Sequence, residues 1–254
     1  MVNLTVKAIA HLTEAERLGG TVTVIDGPGL GSTVVVDRTD GVVAGERGDW
    51  LTDEMLTDAY ALMDREQSRS LIYGERRVFI DTMAPRPTML IFGAGHIAQP
   101  LSVIAGELGF RVVVADARAA WATQERFPHV DELIVAWPGS VFDHIEPDSR
   151  MYVVMLSHDS RFEIPVFDAV HDTPIKYLGA MGSRRTHAMR VERLRADGWT
   201  DDQIDSIHGP IGLDLKGKTP AETAVAIAGE VILVRYGGGT ALSLSGIDAA
   251  IHGD

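Results

Sequence analysis

Cysteine is absent from the 254 residues. Within this chain that excludes a disulfide, a thiolate metal site, a cysteine nucleophile and a persulfide carrier. Positive charge is scarce: 23 lysines and arginines stand against 36 acids, a formal charge of -13. A nucleic-acid partner is therefore not expected, because gripping a phosphate backbone requires basic side chains. An anionic ligand must instead be caught by local geometry. Lysine is limited to Lys7, Lys176, Lys216 and Lys218, and the Tyr-x-x-x-Lys pair of many hydride-transfer enzymes is missing. No apolar run approaches the roughly 18 residues needed to cross a bilayer. The most apolar late stretch, Ala224 to Val234, is interrupted by Glu230. The start of the chain lacks the basic region and apolar core of a signal peptide. A soluble, cytoplasmic protein with no membrane partner is the expectation.

What is present is ordinary globular material, 45% hydrophobic and 23% charged, enough for a real core. Up to about residue 85 the pattern is that of a small α+β unit. β-Branched runs at 21–25 and 32–36 flank a glycine-proline turn, and 42–44 follows the Asp40-Gly41 turn. Residues 50–64 carry a helical apolar face, and 70–73 with 77–80 read as a hairpin. Ala84-Pro85-Arg86-Pro87 resembles a linker, since proline cannot donate to a ladder and extends the residue before it. The boundary is placed there, giving a domain at 1–85 and another at 86–254.

Beyond the linker strands and helices alternate. Met89-Leu90-Ile91-Phe92 is wholly apolar, as suits a parallel strand buried on both faces. A helix is expected over 96–108 and a strand over 111–115. Further strands fall at 133–136, 152–156 and 175–178, with helices at 164–170 and 183–197. Thr219-Pro220-Ala221-Glu222 opens a last helix, a capping box with proline at the first helical position. The fold class is α/β: a Rossmann-type parallel-sheet domain preceded by a small α+β domain.

Gly93-Ala94-Gly95-His96-Ile97-Ala98 fits G-x-G-x-x-G/A. The first glycine permits the turn, the second admits a pyrophosphate, and the small third residue lets helix and strand pack. Asp116 follows 23 residues after Gly93, where an acid accepts from ribose hydroxyls. Arg118 is the alternative partner for a 2′-phosphate; the balance tips slightly to the unphosphorylated ribose. Pro100, inside the expected helix, would leave the His96 carbonyl without its usual donor.

Two more strand ends join this edge. Ser157 and His158 follow the strand at 152–156, with His158 either a proton carrier, a cofactor donor, a weak metal ligand or a structural histidine. Gly182, Ser183, Arg184 and Arg185 follow another strand. They form either an anion site, from an N-cap plus two guanidinium groups, or a capped helix with solvated arginines. No metal-ligand spacing is recognised, and no residue is assigned a catalytic role. Glu222 has a sufficient place in the capping box. Glu230 would need a partner or a raised pKa if buried, so an exposed helix face is the simpler expectation.

From the glycine turn onward the chain resembles the XdhC/CoxI family, accessory proteins of molybdenum-containing hydroxylases. The matching segments are Leu90 to Ala98, Ser157-His158-Asp159, Tyr177 to Arg185, Gly209 to Asp214, and Lys218 to Glu230. In the first unit the likeness is weaker. Where family members often carry Gly-Gly-Cys, this chain has Gly45-Glu46-Arg47-Gly48-Asp49. After His158 it has Ser160 and Glu163, where a second histidine and an aspartate are common. The resemblance implies a chaperone that binds molybdenum cofactor, in free or dinucleotide form, and protects it during sulfuration. It would then pass the cofactor to a xanthine dehydrogenase-like or CO dehydrogenase-like client. The missing cysteine argues against sulfur carriage by this chain and for a cysteine desulfurase as partner. An NAD(P)-dependent oxidoreductase and a nucleotide-sensing module are the open alternatives, as is a homodimeric assembly.

Overall fold

A computed structural model describes residues 4–157, 159–237 and 239–246. The chain divides into two compact units, Met1–Pro85 and Arg86–Asp254.

The first unit contains α1 (Leu4–Glu14), β1 (Gly19–Asp26), β2 (Thr33–Asp37), β3 (Gly41–Ala44), α2 (Asp53–Asp64), β4 (Arg69–Tyr73) and β5 (Arg76–Met83). Its sheet runs β3-β2-β1-β5-β4, with antiparallel pairing throughout. Val22, Val24, Val34, Val36, Val78 and Ile80 alternate onto one face and bury against Met55, Ala59, Leu62 and Met63 of α2. Thr52 caps α2 by accepting the Met55 N–H, and Asp53 and Glu54 suit the positive end of its dipole. Helix α1 is not among the elements expected from the sequence. It buries only Leu12 and leaves Leu4 and Val6 exposed, while Ala8, Ile9 and Leu12 share one face at helical spacing.

The second unit begins with β6 (Thr88–Phe92), α3 (Ala98–Glu107), β7 (Arg111–Ala115) and β8 (Glu132–Ile134). It continues with β9 (Tyr152–Met155), α4 (Ser160–Val170), β10 (Tyr177–Ala180), α5 (Arg184–Ala196), α6 (Asp201–Asp205), β11 (Ile207–His208) and α7 (Pro220–Tyr236). The sheet order is β11-β10-β9-β6-β7-β8, and every pairing is parallel. Counted from β6, this is the doubly wound Rossmann order, whose switch point lies between β6 and β9.

Side-chain alternation along the strands divides the core in two. Met89, Ile91, Val112, Val114 and Val154 pack under α3 and α7. Leu90, Phe92, Val113, Val153 and Met155 pack under α4, α5 and α6. The capping box of α7 forms as expected, with Glu222 accepting from the Thr219 N–H at 2.8 Å and Thr219 from the Glu222 N–H at 3.2 Å. A second capping box, Thr200 with Gln203, starts α6. No described helix is long and apolar enough to cross a membrane.

Three local expectations are corrected. The third helix begins at Ala98 rather than His96, so Pro100 sits in its first turn, where a missing N–H interrupts no ladder. The strand expected at 175–178 is Tyr177–Ala180; the Ile175 N–H turns back to the Thr173 carbonyl at 2.7 Å before pairing with β9 begins. Glu230 is not on an exposed face: it accepts from the Tyr177 hydroxyl at 2.6 Å and the Gly212 N–H at 2.9 Å.

Candidate functional site

The carboxyl ends of β6, β7 and β9 and the segment after β8 enclose a cleft of about 290 Å³. Its walls are largely apolar, with Phe92, Ala115, Ala136, Pro138 and Phe162 beside Gly93, Asp116, Arg118, Ser157 and Asp159. A crevice outside the strand ends at a switch point is where open α/β sheets bind ligands.

Of the glycine turn, Gly93 lines the cleft, while Ala94, Gly95, His96 and Ile97 do not. Gly93 has φ +102, a conformation L side chains rarely adopt, and its N–H donates to the Ala115 carbonyl at 2.8 Å. Gly95 differs. It has no positive φ, and a Cβ built on it meets nothing within 4 Å. Its lack of a side chain leaves open space at the mouth of α3, whose N-terminus has no side-chain cap. Free amides at the positive end of a helix suit a phosphate. His96 is exposed and meets Trp121 edge-on at 5.7 Å, and Ile97 precedes the first helical residue.

The turn is held on both sides of one residue. The Ala94 N–H donates to Asp116 Oδ2 at 2.8 Å. Its carbonyl accepts from Arg126 Nη1 at 2.9 Å, which also reaches the Trp121 carbonyl at 2.6 Å. Nothing in the sequence singles out Arg126, because its partner lies 32 residues away. Asp116 is buried and accepts from the Arg118 N–H and Nε at 2.9 Å and from Nη2 at 2.7 Å. Burial alone would raise this carboxyl. The Arg118 side chain and the Arg118 and Ala94 N–H groups outweigh it and hold Asp116 below its ordinary range.

Ser157 and Asp159 reach the same cleft from β9, while His158 lies outside the described residues. The Gly182–Arg185 turn stands at the end of β10, on the same sheet edge, but does not line the cleft. Ser183 caps α5 by accepting the Thr186 N–H at 3.1 Å, and Arg184 and Arg185 are exposed.

Behind that turn is a buried ion pair that sequence reasoning did not find. Arg190 Nη2 donates to Glu163 Oε1 at 2.7 Å and to the Met181 carbonyl at 2.9 Å. His187 is held below its ordinary pKa by burial and by Arg190. Its Nδ1 lies 3.3 Å from Arg190 Nη1, and a Cβ on Gly209 would collide with its ring. The Gly209–Asp214 loop packs on α7, where the Leu213 N–H meets the Ala226 carbonyl at 3.1 Å. Among the described residues no group of three or more histidines and acids is arranged for a metal.

A doubly wound parallel sheet with a glycine turn at its switch point defines a Rossmann-type protein. More narrowly, the XdhC Rossmann domain family matches residues 89–231, more than half of the chain, and the chain belongs to that family.

Over 158 residues it is 29% identical to a Bacillus subtilis (strain 168) protein named as a probable xanthine dehydrogenase component, covering 62% of this chain and 46% of the relative. Over 140 residues it is 32% identical to the molybdenum cofactor insertion chaperone PaoD of Escherichia coli (strain K12), covering 51% and 42%. The chain spans less than half the length of the curated relatives it matches. A crystal structure of a xanthine dehydrogenase from Bacillus halodurans is similar in fold, with a TM-score of 0.55 at 16% identity over 94% of this chain and 98% of that one.

Proposed function

We propose that this chain is an accessory protein that binds molybdenum cofactor, assists its sulfuration and delivers it to a xanthine dehydrogenase-like or CO dehydrogenase-like hydroxylase. The observation that carries this reading is kinship, at 32% identity, with a relative named a molybdenum cofactor insertion chaperone. Residues 1–85 are assigned to an XdhC-like N-terminal domain and 86–254 to the domain that holds the cofactor.

The residues present fit such a cargo. The space at Gly95 and the uncapped start of α3 suit the phosphate of a pterin or the pyrophosphate of its dinucleotide form. Gly93, Ala94, Gly95, His96 and Ile97 would hold that group, with Asp116 and Arg118 on the β7 side. Ser157 and His158 are assigned to the β9 side, and Gly182, Ser183, Arg184 and Arg185 to an anionic portion extending toward β10. Bound there, the cofactor would supply the redox chemistry later used by the client. The chain's own part is to bind, orient and shield it. Sulfur must come from a partner of the cysteine desulfurase kind, because the chain has no thiol.

A role as binder rather than catalyst is supported by the kinship with a relative named a cofactor insertion chaperone. Tyr177 is unsuited to proton transfer. Burial and the neighbouring Glu230 carboxylate push its hydroxyl far above the ordinary tyrosine range. The test is mass analysis of small molecules released from the chain purified out of cells that make the cofactor. A bound pterin is expected. A nicotinamide dinucleotide together with substrate-dependent turnover would overturn this reading in favour of an NAD(P)-dependent oxidoreductase.

A further inference from the structure

The buried Arg190 has one nitrogen that its ion pair does not use. Nε and Nη2 meet the two Glu163 oxygens at 3.2 and 2.7 Å, and Nη2 also reaches the Met181 carbonyl at 2.9 Å. Nη1 is directed at His187 Nδ1, 3.3 Å away. A guanidinium has only donors and stays protonated. Nδ1 must therefore accept, so a neutral His187 carries its proton on Nε2.

The ring is fixed from a second side. A Cβ on Gly209 would collide with Nδ1 and Cε1, so the backbone that follows β11 seats directly against the imidazole. His187 itself lies in the first turn of α5, where its N–H donates to the Ser183 carbonyl at 2.9 Å. Strands β9, β10 and β11 run parallel. The start of α5 and Gly209 therefore both stand at the carboxyl edge of the sheet, the edge that carries the glycine turn. Burial and Arg190 oppose protonation of the ring, Glu163 favours it, and the balance lies below the ordinary histidine pKa. The imidazole is neutral near pH 7. Among the described residues its Nε2 has no hydrogen-bond partner. A solvated histidine on a helix face needs neither a fixed tautomer nor a glycine opposite its ring.

We infer that His187 contacts the cargo, donating from Nε2–H to an oxygen acceptor of the bound cofactor on the β10 side, and that Arg190 is the positioning residue that fixes this donor tautomer. The inference rests on the proposed function and adds a residue to its site. Arg184 and Arg185 offer charge at the same turn, and His187 offers a neutral, directional donor. Glu163 serves at one remove, by holding Arg190 in place.

The full chain and its variants are purified from cells that make the cofactor, and the loss of bound pterin is followed over time by mass analysis. His187→Phe keeps a ring beside Gly209 but removes the donor. It should release pterin about three- to tenfold faster than wild type, the scale of one hydrogen bond. His187→Gln, with an amide N–H in place of the ring N–H, should recover part of the retention. Thermal unfolding of each variant checks the fold. A second readout is one that a merely structural histidine would not move. With ¹⁵N-labelled histidine in the wild-type chain at pH 7, His187 should show the Nε2–H tautomer, and its Nε2 resonance should shift on loading. Release at the wild-type rate from a folded His187→Phe overturns the inference. So does an Nε2 that carries no proton or whose resonance loading leaves unmoved, and this resonance decides alone if the variants unfold. A wild-type chain that yields no pterin defeats the proposed function and this inference with it. Pterin held equally by wild type and His187→Phe defeats only the role of His187.

Discussion

Asp116 accepts the Ala94 N–H at 2.8 Å, so the acid at the end of β7 braces the glycine turn. Arg126 completes the brace from the other side, on the Ala94 carbonyl. With the peptides on either side of Ala94 both fixed, the amides that follow are oriented by packing before any ligand arrives. Pre-organisation of this kind lowers the ordering cost of binding.

The two turn glycines should therefore separate stability from binding. Gly93→Ala places a side chain at φ +102 and should cost about 1–3 kcal/mol of stability. Gly95→Val adds atoms only to open space and should leave unfolding within about 0.5 kcal/mol of wild type while sharply weakening nucleotide binding. Denaturant unfolding and calorimetric titration of both variants check the split. Equal binding losses in the two, or a destabilised Gly95→Val, would contradict it.

Arg126→Ala should loosen the turn without touching ligand. Its guanidinium serves two carbonyls, so nucleotide affinity is expected to fall roughly tenfold, the loss of one or two charged hydrogen bonds. Guanidinium added to the Arg126→Ala protein should restore part of that affinity. Titration with and without the additive checks this, and wild-type affinity in the variant would show that the brace is dispensable.

The Glu163–Arg190 pair is almost fully buried, at 3% and 2% exposure. Breaking such a pair leaves Glu163 with only Arg193, whose Nη2 is 3.8 Å from Oε2. Arg190→Met should therefore destabilise the second unit by about 3 kcal/mol, the low end of the cost of a stranded buried charge. Replacing both residues by apolar ones of similar volume should recover most of the loss. Thermal unfolding of the single and double variants measures the difference. A double variant no better than the single would point to the Met181 carbonyl, rather than the stranded charge, as the source.

Glu230 links stability to pH. Burial alone would raise its pKa, but the His208 ring, with Nδ1 3.6 Å from Oε1, and hydrogen bonds from Tyr177 and the Gly212 N–H outweigh it and hold the carboxyl below its ordinary value of 4.5. A carboxyl depressed in the folded state contributes stability above its unfolded pKa and loses it as pH falls through the folded value. Wild type should exceed Glu230→Gln by about 2 kcal/mol near pH 7, with the gap closing as pH drops below 4.5. A gap that stays constant down to pH 3 would show that the carboxylate's charge does not contribute.

Much of this architecture is legible in the chain because local chemistry dictates it. The apolar run 89–92, the glycine turn and the Thr219-Pro220-Ala221-Glu222 start each announce one element, and strand–helix alternation announces the parallel sheet. The Thr200–Gln203 capping box carries the same kind of signal in a less conspicuous setting. Helix α1 shows its short apolar face, Ala8, Ile9 and Leu12, less plainly, because the apolar Leu4 and Val6 lie exposed beside it. Contacts chosen in three dimensions leave no mark in the sequence. Arg126 finds Ala94 across 32 residues, Arg190 finds Glu163 across 27, and Tyr177 finds Glu230 across 53. Spacing draws attention to Asp116, but its pairing with Arg118 depends on a rotamer that spacing does not reveal.

The most direct test of cofactor delivery is client activation. A molybdenum hydroxylase is produced with the wild-type chain, with Gly95→Val and without either, and its active, cofactor-loaded fraction is measured. The wild-type chain should raise that fraction, and Gly95→Val, folded but with its phosphate site filled, should not. Equal activation in all three preparations, or full activation by Gly95→Val, would contradict delivery through the glycine turn.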